Sequence, residues 1–367
     1  MPLTDQPVAG DLLFFLAGLA ALVLGAEALV RGASKLALSF GISPLVVGLT
    51  VVAFGTSAPE VAVSIGAALD GTADIAVGNV VGSNIFNVLF ILGLSALIVP
   101  LVVDAQIIRQ EVPIMIGASV LLLPMLVDTR VGATDAAILL ALLIAYTSFL
   151  VVQSRRQTQA TVAEYAQAAD HRAAGWDRHW AVQLLLVAAG LSLLVLGSRW
   201  LVGAAVSFAK GFGVSELVIG LTIVAAGTSL PEVATSVLAA VRGERDIAVG
   251  NVVGSCTFNI LGCLGLAGLV SPSGLPVAEA VLNFDSWVMV AVAAACLPVF
   301  ATGREIARWE GALFLGYYLA YTAYVVLAAQ YHDALPAFSA VMLSFVLPLT
   351  VITLVVVVVR GNAARRG

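Results

Sequence analysis

The sequence predicts an all-α membrane protein with a ten-helix core of two inverted five-helix repeats and an eleventh helix at the C-terminal end. Two observations predict this class. Of the 367 residues, 61% are hydrophobic and 11% are charged, whereas soluble domains average about 45–50% and about 25%. The chain also contains an internal repeat that carries polar side chains inside apolar segments. The composition excludes a soluble globular enzyme, a disordered chain and a nucleic-acid-binding protein.

Eleven apolar segments, each bounded by polar residues or by Gly and Pro, are predicted to form membrane-spanning helices, since one crossing takes about 20 apolar residues. In chain order these segments are 11–38, 43–69, 75–100, 112–127, 132–153, 181–209, 215–241, 247–270, 285–302, 309–329 and 336–359.

The segments group into larger units around one long polar connection near the middle of the chain. Five helices at 11–153 form the first repeat, and five helices at 181–330 form the second. The connection at 154–180 contains four arginines and is predicted to be a cytoplasmic linker. The segment at 336–359 is an additional helix beyond the two repeats.

The internal repeat runs from Gly25 to Pro100 and aligns without a gap with Gly197 to Pro272, at a constant spacing of 172 residues. GLTVVAFGTSAPEVAVS in the first copy corresponds to GLTIVAAGTSLPEVATS in the second, and DIAVGNVVGSNIFN corresponds to DIAVGNVVGSCTFN. Five predicted crossings, an odd number, separate each residue from its counterpart, so the two copies are inverted. Inverted repeats are typical of secondary transporters, which alternate access around a site near the midplane.

The basic residues predict the orientation, because cytoplasmic loops concentrate Lys and Arg. With the N-terminus outside, fourteen basic residues fall on the cytoplasmic side and two, Arg130 and Lys210, fall outside. The C-terminus is then cytoplasmic.

Two glutamates, Glu60 and Glu232, lie deep in predicted crossings at equivalent positions of the repeats. A charge there costs about 2.5–3.5 kcal/mol on insertion scales, so an intramembrane carboxylate indicates function. Each follows a Gly-Thr-Ser-x-Pro sequence, whose proline frees backbone carbonyls beside the glutamate. A single buried glutamate could serve an ion pair, but two with the same neighbours favour an ion site. Further candidate oxygens of this motif are the hydroxyls of Thr56, Ser57, Thr228 and Ser229 and the carbonyls of Ala53 and Ala225.

The second half of each repeat motif places polar residues four apart, and therefore on one helix face. These residues are Asn79, Ser83 and Asn87 in the first copy and Asn251, Ser255 and Asn259 in the second. For Asn79 and Asn251 the alternative is that they cap or cross-link helices. Together the motifs supply carboxylate, hydroxyl, amide and carbonyl oxygens, which suit a hard cation such as Ca²⁺ or Na⁺.

The paired motifs resemble those of the calcium:cation antiporter superfamily, most closely its prokaryotic sodium/calcium exchanger branch. The resemblance implies ion sites between the second and third helices of each half. It implies a calcium site formed by Glu60, Glu232, Thr56 and Thr228. It also implies flanking sodium sites formed by Ser57, Ser83, Ser229, Ser255 and the carbonyls of Ala53 and Ala225, with Asn87 and Asn259 lining a middle position.

Two departures from the family pattern concern the middle of the site. Some relatives carry Asp where Asn259 stands, so one carboxylate of a possible three is missing here. Cys256 stands at the counterpart of Asn84, which suggests a position that binds no ion.

We therefore expect an antiporter of a prokaryotic inner membrane that exchanges Ca²⁺ for Na⁺, with these ions as substrates and no cofactor, enzyme activity or nucleic-acid partner. One alternative is H⁺/Ca²⁺ exchange through protonation of the same glutamates, and a second is a cation channel. An intramembrane protease using Ser57 or Ser229 is disfavoured, because all three histidines lie in polar connections. The oligomeric state stays open.

Overall fold

The structure, a computed structural model, describes residues 8–40, 42–70, 72–170, 179–212, 225–353 and 355. Within these residues nine helices are long and apolar enough to cross a membrane, and a tenth crossing is formed by a bent pair of helices. The predicted helical membrane architecture is confirmed.

The first half contains five crossings, of which the second is broken. Its helices are α1 (Val8–Phe40), α2 (Pro44–Thr56), α3 (Ala58–Leu69), α4 (Ile75–Ile98), α5 (Ile107–Leu126) and α6 (Ala133–Asp170).

The second half repeats this order after residue 179. Its helices are α7 (Trp180–Gly211), α8 (Leu230–Val241), α9 (Arg245–Val270), α10 (Val281–Ala301) and α11 (Arg308–Ala329), followed by α12 (Leu335–Thr353). A short helical turn, Ala225–Gly227, precedes α8.

Three predicted segments meet the limits of the described residues. Residues 215–224 of the helix predicted at 215–241 lie outside the described residues. Residues 354 and 356–359 of the helix predicted at 336–359 also lie outside them. Part of the linker predicted at 154–180 is helical, since α6 continues to Asp170, and 171–178 lie outside the described residues.

Two small antiparallel sheets join the halves. The strands are β1 (Leu101–Val102), β2 (Arg130–Val131), β3 (Leu275–Pro276) and β4 (Glu305–Ile306). β1 pairs with β4 and β2 with β3, so each sheet takes one strand from each half. Because α5 lies between β1 and β2 in the chain, the two sheets lie at opposite ends of the helices.

The first helices of the two halves, α1 and α7, pack with their backbones in close contact. A Cβ atom on Gly25 would lie 2.9 Å from the carbonyl oxygen of Gly190, and one on Gly18 would lie 2.8 Å from that of Gly197. Rising numbers on one helix meet falling numbers on the other, so the helices are antiparallel. Small residues permit this approach in membranes.

The third crossing of each half, α4 and α9, forms the buried centre of the protein. The helix α12 packs on the outside, where Tyr317 Oη donates to Thr350 Oγ1 at 2.6 Å. The polar motifs of both repeats therefore lie inside the protein, around the central helices.

Candidate functional site

The second crossing of each half is interrupted beside its glutamate. α2 and α3 meet at Ser57 with a bend of 43°. Pro59 and Glu60 lie in the first turn of α3, where the missing N–H of proline breaks no helical hydrogen bond. Ser229, Pro231 and Glu232 occupy the same positions at the start of α8. The Gly-Thr-Ser-x-Pro-Glu sequence thus places each carboxylate at a helix N-terminus inside the protein.

The two glutamates are hydrogen-bonded across the halves. Ser57 Oγ donates to Glu232 Oε1 at 3.0 Å, and Ser229 Oγ donates to Glu60 Oε1 at 2.8 Å. All four side chains are fully buried. The second carboxylate oxygens, Glu60 Oε2 and Glu232 Oε2, have no hydrogen-bond partner in the described part of the chain. Since each serine lies one turn before the glutamate of its own half, the two carboxylates converge on one region.

The remaining hydroxyls predicted for the site surround this pair. Ser83 Oγ lies 3.4 Å from Ser229 Oγ, within hydrogen-bond distance. Ser255 Oγ donates to the carbonyl oxygen of Ala53 at 3.5 Å. The Thr56 hydroxyl donates to Asn251 Oδ1 at 3.1 Å. The structure therefore brings oxygens of all four motif segments together.

The two predicted threonines differ. The Thr56 hydroxyl has protein acceptors, whereas Thr228 Oγ1 is buried and has no hydrogen-bond partner among the described residues. Thr228 Oγ1 lies next to the second proline motif, beside the Glu60 carboxylate.

The carbonyls near the breaks are partly satisfied within the protein. Ala53 O accepts the N–H of Ser57 at 3.1 Å. The carbonyl of Gly227, four residues before Pro231, accepts Ser198 Oγ at 2.6 Å. Ala225 begins the short helical turn before α8, at the edge of the described residues. Ala53 O also accepts Ser255 Oγ, so both of its lone pairs already have protein donors, and an ion bound there would take the place of one of them.

The asparagines predicted for the middle position begin equivalent π-helical segments, Asn87–Leu92 in α4 and Asn259–Leu264 in α9. Short π-helical turns are frequent at functional sites. Both side chains are fully buried. Neither polar atom of the Asn87 side chain has a hydrogen-bond partner among the described residues. By contrast, Asn259 Nδ2 donates to Asn84 Oδ1 at 3.2 Å, and Asn259 Oδ1 accepts a hydrogen bond from the Cys263 thiol at 3.5 Å.

The other two motif asparagines cross-link helices, as the structural alternative predicts. Asn79 Nδ2 donates to Ser64 Oγ at 3.2 Å, and Asn251 Nδ2 donates to Ser236 Oγ at 2.9 Å. In each half the bond joins the third crossing to the helix that carries the glutamate.

Sequence reasoning did not single out Asn84 and Cys263 for the site. Asn84 donates to the carbonyl oxygen of Cys256 at 3.0 Å, and the Cys256 thiol is directed back to Asn84 O at 3.9 Å. These counterparts in the repeat therefore meet each other between the halves. The available signal was an intramembrane amide three residues before Asn87.

The region between the halves is rich in oxygen atoms and acidic. Glu60 and Glu232 supply its two carboxylates. Among the described residues, no group of three or more His, Cys, Asp or Glu side chains is arranged to hold a metal ion. The donors to both carboxylates are hydroxyl groups. Two carboxylates with hydroxyl and amide oxygens match an alkali or alkaline-earth cation better than a transition metal.

Comparison with known families identifies the group to which the sequence belongs. The family model described as "Sodium/calcium exchanger protein" matches residues 11–152 and 182–327. The chain belongs to this family. The match covers both halves, so the family assignment includes both glutamate motifs. Proteins of this family are antiporters, which are not enzymes, and the helices make this chain an integral membrane protein.

Individual relatives agree with this assignment. The putative antiporter CaxA of Alkalimonas amylolytica is 38% identical over 84% of this chain and 96% of the relative. The inner membrane protein YrbG of Escherichia coli is 37% identical over 83% of this chain and 94% of the relative. The sodium/calcium exchanger MaX1 of Methanosarcina acetivorans is 35% identical over 85% of this chain and 97% of the relative.

The fold also matches a solved exchanger. A structure of the sodium-calcium exchanger NCX_Mj, soaked without Na⁺ and Ca²⁺, superposes with a TM-score of 0.74 at 31% sequence identity. The match covers 87% of this chain and 99% of that chain. The superfamily predicted from the two motifs is therefore confirmed.

Proposed function

We propose that this protein exchanges Ca²⁺ for Na⁺ across a prokaryotic inner membrane by alternating access, with both ions competing for the oxygens around Glu60 and Glu232. The observation that carries the proposal is the reciprocal bonding of each glutamate to the serine of the opposite half, which leaves one carboxylate oxygen of each uncommitted.

The uncommitted oxygens support a cation site. Buried polar atoms in proteins are almost always hydrogen-bonded, so several unpartnered oxygens in one region need an explanation such as a bound ion. They are Glu60 Oε2, Glu232 Oε2, Thr228 Oγ1 and Asn87 Oδ1. Ca²⁺ takes about 6–8 oxygen ligands in flexible geometry. The other predicted ligands remain proposals: Thr56 for the Ca²⁺ position, Asn259 for the middle position, and Ser57, Ser83, Ser229, Ser255, Ala53 and Ala225 for the flanking Na⁺ positions.

The charge of the site explains why Ca²⁺ and Na⁺ would compete. Two buried carboxylates are costly without counter-charge, and one Ca²⁺ or two Na⁺ neutralise them equally. Transport then requires that each ion bind the outward-facing and inward-facing conformations with different affinity. The bend between α2 and α3 beside Glu60, and the break between Gly227 and Leu230 before Glu232, support alternating access, because broken helices near the midplane typically form transporter sites.

Flux measurements on the full-length chain in proteoliposomes test the function. We expect ⁴⁵Ca²⁺ uptake to follow an imposed Na⁺ gradient, and Glu60→Gln and Glu232→Gln each to abolish it, because each removes one of the two charges. Glu279→Gln is the matched control, since Glu279 is exposed in the helical turn directly before Val281 and its substitution should leave uptake unchanged.

The same vesicles separate the alternatives. Uptake driven by a pH gradient without Na⁺ would replace Na⁺ with H⁺ as the coupling ion. Uptake that needs neither gradient would indicate a channel. Activity that survives both glutamate substitutions would overturn the proposed site.

The basic residues support an orientation with the N-terminus outside and the C-terminus in the cytoplasm. Single cysteines introduced at Lys210 and Arg304, in a background without the three native cysteines, test this by labelling with a membrane-impermeant maleimide in cells. We expect labelling at position 210 from outside and at position 304 only after the membrane is opened. The reverse pattern would invert the orientation.

A further inference from the structure

The asparagines Asn87 and Asn259 are equivalent in the repeat, equally buried and at the start of the same kind of π-helical segment, yet their hydrogen bonding differs. Both ends of the Asn259 amide are bound by protein groups, whereas both ends of the Asn87 amide are unpartnered in the described part of the chain. The difference lies in their neighbours.

The sequence explains the asymmetry at two positions of the repeat. Asn259 accepts the thiol of Cys263, one turn further along α9, whereas the counterpart of Cys263 is Ile91, which has no polar side-chain atom. Asn259 donates to Asn84, whereas the counterpart of Asn84 is Cys256. The first exchange leaves Asn87 Oδ1 without a side-chain donor one turn further along α4. At the second position the Cys256 thiol lies beside the Asn87 side chain, where Asn259 has the amide oxygen of Asn84 as its acceptor.

We propose that Asn84 and Cys263 are positioning residues that hold Asn259 away from ion coordination, so that Asn87 alone of the pair supplies an amide oxygen to the transported ions. This inference rests on the proposed function. It makes the ion site asymmetric although the repeats that form it are nearly identical. It also revises the sequence expectation that both asparagines line the middle position equally.

Measurements of apparent ion affinity compare the two asparagines directly. In proteoliposomes with the full-length chain, Asn87→Ala should raise the concentrations of Ca²⁺ and Na⁺ for half-maximal exchange by about tenfold, as expected for one lost ligand or hydrogen bond. Asn259→Ala should change them by less than about threefold, and should lower the thermal stability, because it leaves Asn84 and Cys263 without their partner. If Asn259→Ala does not fold, Asn259→Ser replaces it in the same affinity measurement.

A second pair of variants tests the positioning role of Cys263. In the Asn87→Ala background, Cys263→Ala removes the thiol that is bound to Asn259 Oδ1 and frees this oxygen for an ion. The double variant should therefore have an apparent ion affinity at least about threefold higher than that of Asn87→Ala alone. In the Asn259→Ala background the same substitution should change the affinity little, since its partner is already absent. A purely structural role of Cys263 would give no recovery.

The outcomes separate this inference from the proposed function. A wild-type protein without Na⁺-dependent Ca²⁺ exchange would overturn both. An active wild type in which Asn259→Ala weakens ion affinity as much as Asn87→Ala would overturn the asymmetry alone. The absence of any recovery by Cys263→Ala would overturn the positioning role of the thiol.

Discussion

Individual polar side chains in this protein act across the two halves. Ser57 lies three residues before Glu60 in the sequence, yet its hydroxyl binds Glu232, and Ser229 likewise binds Glu60. Each half therefore completes the carboxylate environment of the other. A substitution at either serine should affect the opposite glutamate.

We expect Ser57→Ala and Ser229→Ala each to lower the apparent Ca²⁺ affinity by about tenfold, because a hydrogen bond to a charged group contributes about 1.5–3 kcal/mol. Ca²⁺ titration of exchange in proteoliposomes measures this. Ser192→Ala is the control, since Ser192 is exposed on α7 and bonds only within its own helix.

The cross-half pairing makes a sharper prediction for double variants. Ser57→Ala should be strongly non-additive with Glu232→Asp, its hydrogen-bond partner, and closer to additive with Glu60→Asp. The opposite ranking would mean that each serine serves its own half.

Among the helices, the fourth and fifth crossings of each half are joined by a carboxyl–tyrosine pair. Tyr146 Oη on α6 donates to Glu111 Oε2 on α5 at 2.7 Å, and Tyr321 Oη on α11 donates to Asp285 Oδ1 on α10 at 2.9 Å. Each acid is the last residue of a π-helical segment, Ile107–Glu111 or Val281–Asp285. The fold thus repeats a polar contact that lies outside the ion-site motifs.

We expect Tyr146→Phe to lower the free energy of unfolding by about 1–2 kcal/mol, because it leaves one oxygen of the buried Glu111 without this donor. Thermal unfolding of the purified protein in detergent measures the change. Tyr331→Phe should have no effect, since Tyr331 is 93% exposed. Equal stability of the two variants would contradict a stabilising role for the pair.

The close approach of α1 and α7 gives a second prediction for the helices. Gly25→Ala places a Cβ atom 2.9 Å from both the carbonyl oxygen of Gly190 and the amide nitrogen of Leu194, so the helices must separate. We expect a loss of about 1–3 kcal/mol in stability, as for other overpacked contacts. Thermal unfolding again provides the measurement. Gly203→Ala on α7 is the matched control, because a Cβ atom there meets no heavy atom within 4 Å.

Considered as a whole, the protein places two acidic side chains in an oxygen-rich site between its two halves. The charge of these two side chains determines how much net charge crosses the membrane with the bound ions. Two Na⁺ neutralise Glu60 and Glu232, and a third leaves the loaded site positive. The two flanking sodium sites account for two Na⁺; if a third binds at the position of Ca²⁺, each cycle moves one net positive charge. Moving one charge across the membrane is worth about 2.3 kcal/mol per 100 mV.

We therefore expect Ca²⁺ uptake into Na⁺-loaded proteoliposomes to increase when a K⁺ gradient with valinomycin makes the interior positive, because net positive charge leaves in each cycle. The initial rate of ⁴⁵Ca²⁺ uptake at several imposed potentials measures this. Uptake that is independent of potential would indicate two Na⁺ per Ca²⁺.

Much of the architecture could be predicted from the sequence because its causes are local. The length and apolarity of each segment predict a crossing wherever they occur, and the repeat from Gly25 to Pro100 predicts the inversion without reference to any contact. The proline that ends each Thr-Ser-x-Pro motif likewise predicts the break beside the glutamate. The limit of this reasoning is visible at α6, whose polar continuation to Asp170 is helical although apolar patterning ends near residue 153.

The sequence by itself determined which oxygens are available, since the types and spacing of Glu60, Glu232 and their neighbours do not depend on packing. Only the tertiary structure decided how these oxygens are shared: that each serine binds the glutamate of the other half, and that Asn259 is bound while Asn87 is not. The physical reason is that the serine–glutamate bonds and the bond between Asn259 and Asn84 join residues far apart in the chain, so the packing of the two halves against each other fixes them.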